Sequence, residues 1–282
     1  MSKCLVTGHC GYIGSKVFAK LKELGHEVRG IDLQEGMDVI HHLGDLGDFK
    51  PEYIFHLAAI PRVPYSMEFP EEVLENNVLS TIRILEYARK CGAKRVIYSS
   101  SSSVRGNGDG PTSPYGASKL IPEILCKNYS DVFSVDTVSL RYFNVYSEDQ
   151  TVDGPYATAI ANWMHCVRRG ARPYITGDGE QRRDMVHVSD VVSANIFCME
   201  YEGKFQGQPF NGRTVDVATG SNISLNEIEE IVKHHHPGVV FDRRPERAGD
   251  VRETKADTEP LRALGWTAKV SIRSGMTKCF KQ

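Results

Sequence analysis

The sequence has no CxxC pair, no long apolar run and no surplus of either charge. Its seven cysteines stand singly at positions 4, 10, 91, 126, 166, 198 and 279, a pattern that reads as reduced, mostly structural thiols. A membrane helix needs about 18 consecutive apolar residues, and none is present. Strand-like sequence begins at residue 3, so we expect no cleavable leader, no membrane partner and a cytoplasmic location. Lys plus Arg number 34 against 36 Asp plus Glu, so there is no global attraction for nucleic acid. Repeats, low-complexity tracts and long linkers are also missing. What is there is 282 residues, 40% hydrophobic and 25% charged, enough for a sizeable unstapled core.

The first 140 residues alternate short β-rich runs with helical patterns, the mark of a parallel α/β sheet. Strands are expected at 3–7, 27–32, 53–59, 95–100 and 134–143, with a weaker one at 39–46 ending at Asp45. Helices are expected after residue 11, where Ile13, Val17, Leu21 and Leu24 share a face, and over 70–91 and 115–129. Beyond residue 144 the rhythm loosens. Helices are expected at 156–169, 191–201 and 225–236, with two short ones ending at Phe280. Strands are expected at 173–175, 185–188, 215–218 and 239–242. This predicts a Rossmann-type doubly wound sheet with a smaller, interleaved C-terminal substrate-binding region. The sheet domain takes 1–143, with 189–219 returning to it, and the smaller region takes 144–188 and 220–282.

The first strand runs into Gly8-His9-Cys10-Gly11-Tyr12-Ile13-Gly14, directly before a helix. Glycines here permit a tight turn, close backbone approach to a pyrophosphate, and close packing of helix on strand. The helix N-terminus adds free N–H groups and positive dipole. Asp32 ends the second strand, where a carboxylate accepts ribose hydroxyls and repels a 2′-phosphate. The combination predicts NAD binding in preference to NADP.

Tyr115 and Lys119 lie four residues apart at a helix start, on one face. A free phenol has a pKa near ~10 and is a poor base at neutral pH. A neighbouring ammonium and a cationic nicotinamide both favour the phenolate. The strand at 95–100 feeds the five serines Ser99 to Ser103, where a hydroxyl could hold a substrate oxygen beside the phenol.

With these residues the sequence resembles the extended short-chain dehydrogenase/reductase family, in its NAD-dependent nucleotide-sugar epimerase/dehydratase branch. Further matching segments are His56-Leu57-Ala58-Ala59, Asn76-Asn77-Val78, the stretch from Leu140 to Tyr146, Gly177-Asp178-Gly179 with Arg183-Asp184, and Arg247-Ala248-Gly249-Asp250. The resemblance implies Gly8, Gly11, Tyr12, Ile13 and Gly14 at the pyrophosphate and Asp32 on the ribose. It places Asp45 and Leu46 at the adenine, and Leu57, Ala58, Ala59 and Asn77 along the cofactor cleft. Aligned back from Gly106, Ser101 takes the catalytic serine position beside Tyr115 and Lys119, with Ser99 and Ser100 as cofactor contacts or packing. Tyr142 is implied at the nicotinamide pocket and Asn144 at the substrate diphosphate. Arg183 and Arg247 fall at diphosphate-binding arginines, and Asp250 at a nucleoside ribose contact. Guanidinium donors suit a diphosphate on chemical grounds as well.

In that branch the 4,6-dehydratases carry an Asp-Glu pair after the catalytic serine, and the decarboxylases a Glu. Here Ser102 and Ser103 stand there and cannot do carboxylate acid/base work. The implied reaction is C4 epimerisation of a UDP-sugar through a 4-keto intermediate. Thr254 falls where a bulky tyrosine bars N-acetylated sugars in some relatives, which suggests room for an N-acetyl group. Three departures stand out: Arg105 for tyrosine, a short 106–115 segment over the sugar, and Ser147 for glycine. Pro122 lies within the active helix, where a proline removes a hydrogen bond. The competing readings are a nucleotide-sugar reductase of the same fold and a non-catalytic NAD-binding relative. His234-His235-His236 reads as a solvated helix end, Arg243-Arg244 with Arg247 as surface and diphosphate charge, and no metal site is expected. The resemblance also implies a homodimer through the helices at 71–91 and 115–129.

Overall fold

Runs such as Cys4-Leu5-Val6, with no exposed surface at all, form strands that must be covered on both faces, and that requirement selects a parallel sheet between helices. The computed structural model, described for residues 1–150, 152, 158–246 and 252–281, builds six such strands. They are β1 (Lys3–Thr7), β2 (Glu27–Ile31), β3 (Tyr53–His56), β4 (Arg95–Ser101), β5 (Thr137–Tyr142) and β6 (Arg213–Val217). All pair in parallel, in the order β6-β5-β4-β3-β1-β2. The order turns back at β1, with β2 on one side and β3 on the other. A crevice at such a switch point, beyond the C-terminal strand ends, is where doubly wound sheets bind ligands.

The weak strand expected at 39–46 does not form. Asp38 instead accepts the Ile40 N–H at 2.8 Å, and a tight helical turn spans Leu43–Leu46. Gly44 and a left-handed Gly47 break the extended run, while Val39 and Leu46 still anchor it in the core. The 70–91 helix also differs. It is Pro70–Leu74, then a single π turn at Glu75–Leu79, then α2 (Ser80–Cys91). The periodicity predicts a buried stripe of Leu74, Val78, Ile82 and Leu85; the inserted turn shifts the phase of burial, so Val73, Asn77, Thr81 and Ile84 are buried with Leu85, and the other three are only half-buried.

Helix α1 (Tyr12–Glu23) packs Val17 and Leu21 against the sheet. The next long helix, α3 (Pro114–Phe133), starts earlier and ends later than expected, and it runs through Pro122. Ser113 accepts the Gly116 N–H at 3.1 Å, Pro114 sits where its missing N–H costs nothing, and Ser134 closes the helix at φ 57°. That left-handed cap is why β5 begins at Thr137 instead of 134.

A second apolar cluster gathers α4 (Ala159–Arg168), α6 (Leu225–His235) and α8 (Ile272–Phe280) around Trp163, Ile228 and Met276. Between α4 and α6, α5 (Val188–Glu200) returns to the main sheet beside α1. The short α7 (Glu259–Leu264) also leaves the expected smaller region. Leu261 and Trp266 join the sheet's core, and the Trp266 indole donates to Ser193 Oγ on α5 at 2.8 Å. The strand expected at 239–242 sits later, as Asp242–Arg244 paired with Tyr174–Thr176. Among the described residues no helix is long and apolar enough to cross a membrane.

Candidate active site

The switch-point crevice is shaped first by glycine. Gly8 has φ +71°, and a Cβ there would lie 2.7 Å from the Ala58 nitrogen. At Gly14 a Cβ would lie 2.0 Å from the Gly8 carbonyl oxygen, so no side chain fits between loop and helix. Gly11 caps α1 without any side-chain acceptor, leaving the first N–H groups open to an anion. Asp32 is buried, and its two oxygens accept the N–H groups of Cys10 and Gln34, each at 2.9 Å. A carboxylate offers about four lone pairs, so acceptor capacity is left for ribose hydroxyls. This cradle fits a dinucleotide pyrophosphate and its adenosine ribose. Gly14→Ala should therefore weaken NAD binding by roughly tenfold or more. The check is the NAD content of purified protein, with unchanged cofactor content counting against the cradle.

The β3 end is fixed by Thr7, whose hydroxyl meets His56 Nδ1 at 2.8 Å and accepts the Ala58 N–H at 3.2 Å. Burial, reinforced by Lys119, lowers His56 to about 3, so it bridges Thr7 and Thr81 as a neutral ring. Asn77, in the π turn, accepts from Ile60 N at 2.8 Å and donates to Ser118 Oγ at 2.9 Å. It thereby clips the loop holding Ala58 and Ala59 to α3, in keeping with the frequent use of π turns at functional sites. The Tyr12 hydroxyl meets Ser147 Oγ, and Ser147 with Lys16 engages Asp149. The serine at 147 thus ties the glycine loop to the segment after β5. Ile13 and Leu57 pack on the main core, Leu46 is buried in a neighbouring cluster, and Asp45 is exposed.

At the end of β4 the candidate catalytic residues come together. Ser101 stands beside Tyr115, where it favours the phenolate, and accepts the Ser103 N–H at 3.2 Å. Lys119 Nζ donates to the Ser99 carbonyl at 2.9 Å. Burial pushes the Tyr115 phenol up from its ordinary value, while neighbouring Ser101 and the Arg62 cation pull it back. Burial lowers Lys119 to about 8, with Glu123 opposing the shift. The hydroxyls of Ser99 and Ser100 point to protein partners: Ser99 Oγ meets the Tyr142 hydroxyl at 3.0 Å, and Ser100 donates to Glu123. Tyr142 in turn accepts from Asn195 Nδ2 at 2.8 Å, which holds β4 and β5 to α5.

Glu123 is the functional neighbour that the sequence reading missed. It is buried, and both its oxygens accept from Arg141, at 2.9 and 2.6 Å. Its signal was the spacing: 115, 119 and 123 lie on one helical face. Arg105, one of the departures, also finds a partner, Asp216 Oδ2 at 2.5 Å. Asp216 is 3% exposed and also accepts the Asp257 N–H, so the short loop after β4 is tethered to β6.

A second group forms around buried Asp184, which accepts N–H groups from Thr219, Gly220 and Ala256. Its own carbonyl accepts from Asn144 Nδ2 at 2.8 Å, and its N–H reaches Thr254 Oγ1 at 3.2 Å. Arg183 pairs in register with Thr254 between two short strands. Asn144, Arg183 and Thr254 are thus brought together. Arg247 and Asp250 lie outside the described residues.

Comparison with known proteins agrees with this geometry. Residues 4–211 match the NAD dependent epimerase/dehydratase family. A UDP-glucose 4-epimerase of Mycolicibacterium smegmatis is 31% identical, over 98% of this chain and 96% of its own. The UDP-glucose 4-epimerase of Thermotoga maritima, solved with UDP-glucose, superposes with a TM-score of 0.90 at 28% identity, covering 99% and 97% of the two chains. A UDP-N-acetylglucosamine 4-epimerase from Methanobrevibacter ruminantium, solved with UDP-N-acetylmuramic acid, gives 0.89 at 28% identity over the same shares.

Proposed function

Because the chain belongs to the NAD-dependent epimerase/dehydratase family, we propose that it inverts C4 of a UDP-hexose, in the glucose/galactose series or its N-acetylated equivalents. The observation that carries this reading is the chemistry beside the Ser101–Tyr115 pair. Ser102 and Ser103 follow it on the turn, and the nearby Glu123 is committed to Arg141 and Ser100. Neither serine can move a proton as the dehydratases and decarboxylases require, which leaves a phenol as the base.

Gly8, Gly11 and Gly14 would seat the NAD pyrophosphate and Asp32 its ribose. NAD, when bound, supplies a hydride acceptor that returns the hydride. Tyr115, as phenolate, takes the proton of the sugar 4-hydroxyl and later gives it back, while Ser101 holds that oxygen. Lys119 contributes positive charge that favours the phenolate. Arg183, with Arg247 and Asp250 beyond the described residues, would hold the nucleotide while the 4-keto sugar turns over. Thr254 is small and its hydroxyl is occupied by Asp184, which supports admission of an N-acetyl group. In this reading the homodimer uses α3, whose Ile121, Ile124 and Phe133 are exposed.

Proton NMR of UDP-glucose and UDP-N-acetylglucosamine, each incubated with the protein and NAD, tests the reading. New anomeric signals of the 4-epimer are expected with no net change in NAD. Net consumption of the cofactor would instead favour a reductase, and no turnover of either sugar would refute the proposal.

A further inference from the structure

Three side chains that the proposed reaction does not use meet beside the glycine loop. Among the described residues, His9, Cys10 and Glu35 place their ligand atoms within 4.8 Å of one another. His9 Nε2 lies 3.6 Å from Cys10 Sγ and 3.3 Å from Glu35 Oε2. Zinc bonds of about 2.3 Å to sulfur and about 2.0–2.2 Å to nitrogen and oxygen fix the edges of a tetrahedron. At the tetrahedral angle those bonds set nitrogen and sulfur about 3.6 Å apart, and nitrogen and oxygen about 3.4 Å apart. The two edges at His9, 3.6 and 3.3 Å, lie close to those lengths, and the Cys10–Glu35 edge is within 4.8 Å.

The imidazole is held in place by packing. Its ring centroid is 5.0 Å from that of Phe18, and its other face covers Gly30, where a Cβ would lie 2.4 Å from the ring. Its second nitrogen, Nδ1, is enclosed without a hydrogen-bond partner, so the engaged nitrogen is the one facing Cys10 and Glu35. The Cys10 backbone is fixed by its bond to Asp32. The His9 side chain is 11% exposed and that of Glu35 55%, which gives a closed floor and a solvent-facing lid. A thiolate and a carboxylate balance the two charges of the ion.

We propose that His9, Cys10 and Glu35 form a three-ligand site for Zn²⁺, with the fourth position open to water. The sequence reading expected no metal, because Glu35 meets the other two only where the ends of β1 and β2 converge. The site shares the glycine loop with the cofactor cradle, since the Cys10 N–H bonds Asp32, but its test reads metal binding and not epimerase activity.

Metal-stripped protein titrated with Co²⁺ is expected to develop a thiolate-to-cobalt charge-transfer band and the intense visible bands of a tetrahedral ion. Calorimetry with Zn²⁺ should give a single site per chain. Cys10→Ser should remove the charge-transfer band, and the surface change Glu35→Gln should weaken zinc binding by roughly tenfold. Cys91→Ser, at a thiol elsewhere, should change neither. Absence of the band, its survival in Cys10→Ser, or zinc affinity indifferent to Glu35→Gln would overturn the assignment. Circular dichroism of each variant confirms folding, and the mild Glu35→Gln substitution keeps the test decisive if Cys10→Ser fails to fold.

Discussion

Tyr115→Phe should lower kcat by about 10²–10⁴-fold with little loss of stability or of bound NAD. The substitution keeps a ring that is 9% exposed and removes one hydroxyl, which stands beside Ser101. The backbone N–H of Tyr115 still donates to Ser66 Oγ, so the helix start is unaffected. With the deprotonated phenol as the proposed base, activity of the native protein should rise with pH on the acid side. Burial raises Tyr115 in the protein alone, so the rise depends on cations, Arg62 of this chain and the nicotinamide when bound, opposing that shift. Steady-state kinetics against pH, with NAD content and melting temperature measured alongside, checks each part. Activity within a factor of about ten of the native protein would remove Tyr115 from the base role.

Lys119→Met should abolish activity and, at neutral pH, make the protein more stable. Lys119 is 4% exposed, and burial lowers it from 10.5 to about 8. A cation with a depressed folded pKa binds its proton more tightly in the unfolded chain, so it opposes folding at pH 7. As pH climbs from about 8 to 10.5, the folded lysine has lost its proton while the unfolded one still carries it. The penalty therefore fades through that window, and stability of the native protein rises relative to the methionine variant. The penalty is on the order of a few kcal/mol at pH 7, or several degrees in melting temperature. Melting curves of both proteins at pH 7 and pH 10 should show the gap shrinking at the higher pH. A native protein more stable than Lys119→Met at pH 7 would mean that the ammonium is well solvated or fully compensated where it sits.

Features whose chemistry is local in the chain were legible before any fold was known. Gly8, Gly11 and Gly14 announce a close backbone approach, Asp32 an acceptor at a strand end, and Tyr115 with Lys119 a shared helix face. The sheet's alternation was equally readable, because short apolar stretches such as Cys4-Leu5-Val6, Ile54-Phe55 and Val96-Ile97-Tyr98 recur between helical patterns. What escaped depends on pairs remote in sequence or on single turns. Asp38 turning the backbone at Ile40 defeated the strand at 39–46, and the π turn at Glu75–Leu79 defeated a regular stripe. Glu123 meets Arg141, and His9 meets Glu35, only after the strands align. Trp266 reaches the main core because Ser193 on α5 accepts its indole N–H, which no periodicity could announce.

The tether between Arg105 and Asp216 bears on how such a chain can change over time. The two positions are 111 residues apart, yet neither can be replaced alone without cost. Loss of Arg105 strands a carboxylate that is 3% exposed. Loss of Asp216 leaves a guanidinium over the Phe143 ring with an enclosed, unpartnered Nε. The larger cost falls on loss of Arg105, because Asp216 is buried while the Arg105 side chain is 40% exposed to water, whereas exchanging both members for a neutral pair can be close to neutral. The two sites should therefore behave as one inherited unit. A substitution at either would be tolerated only in a background where the other has already changed.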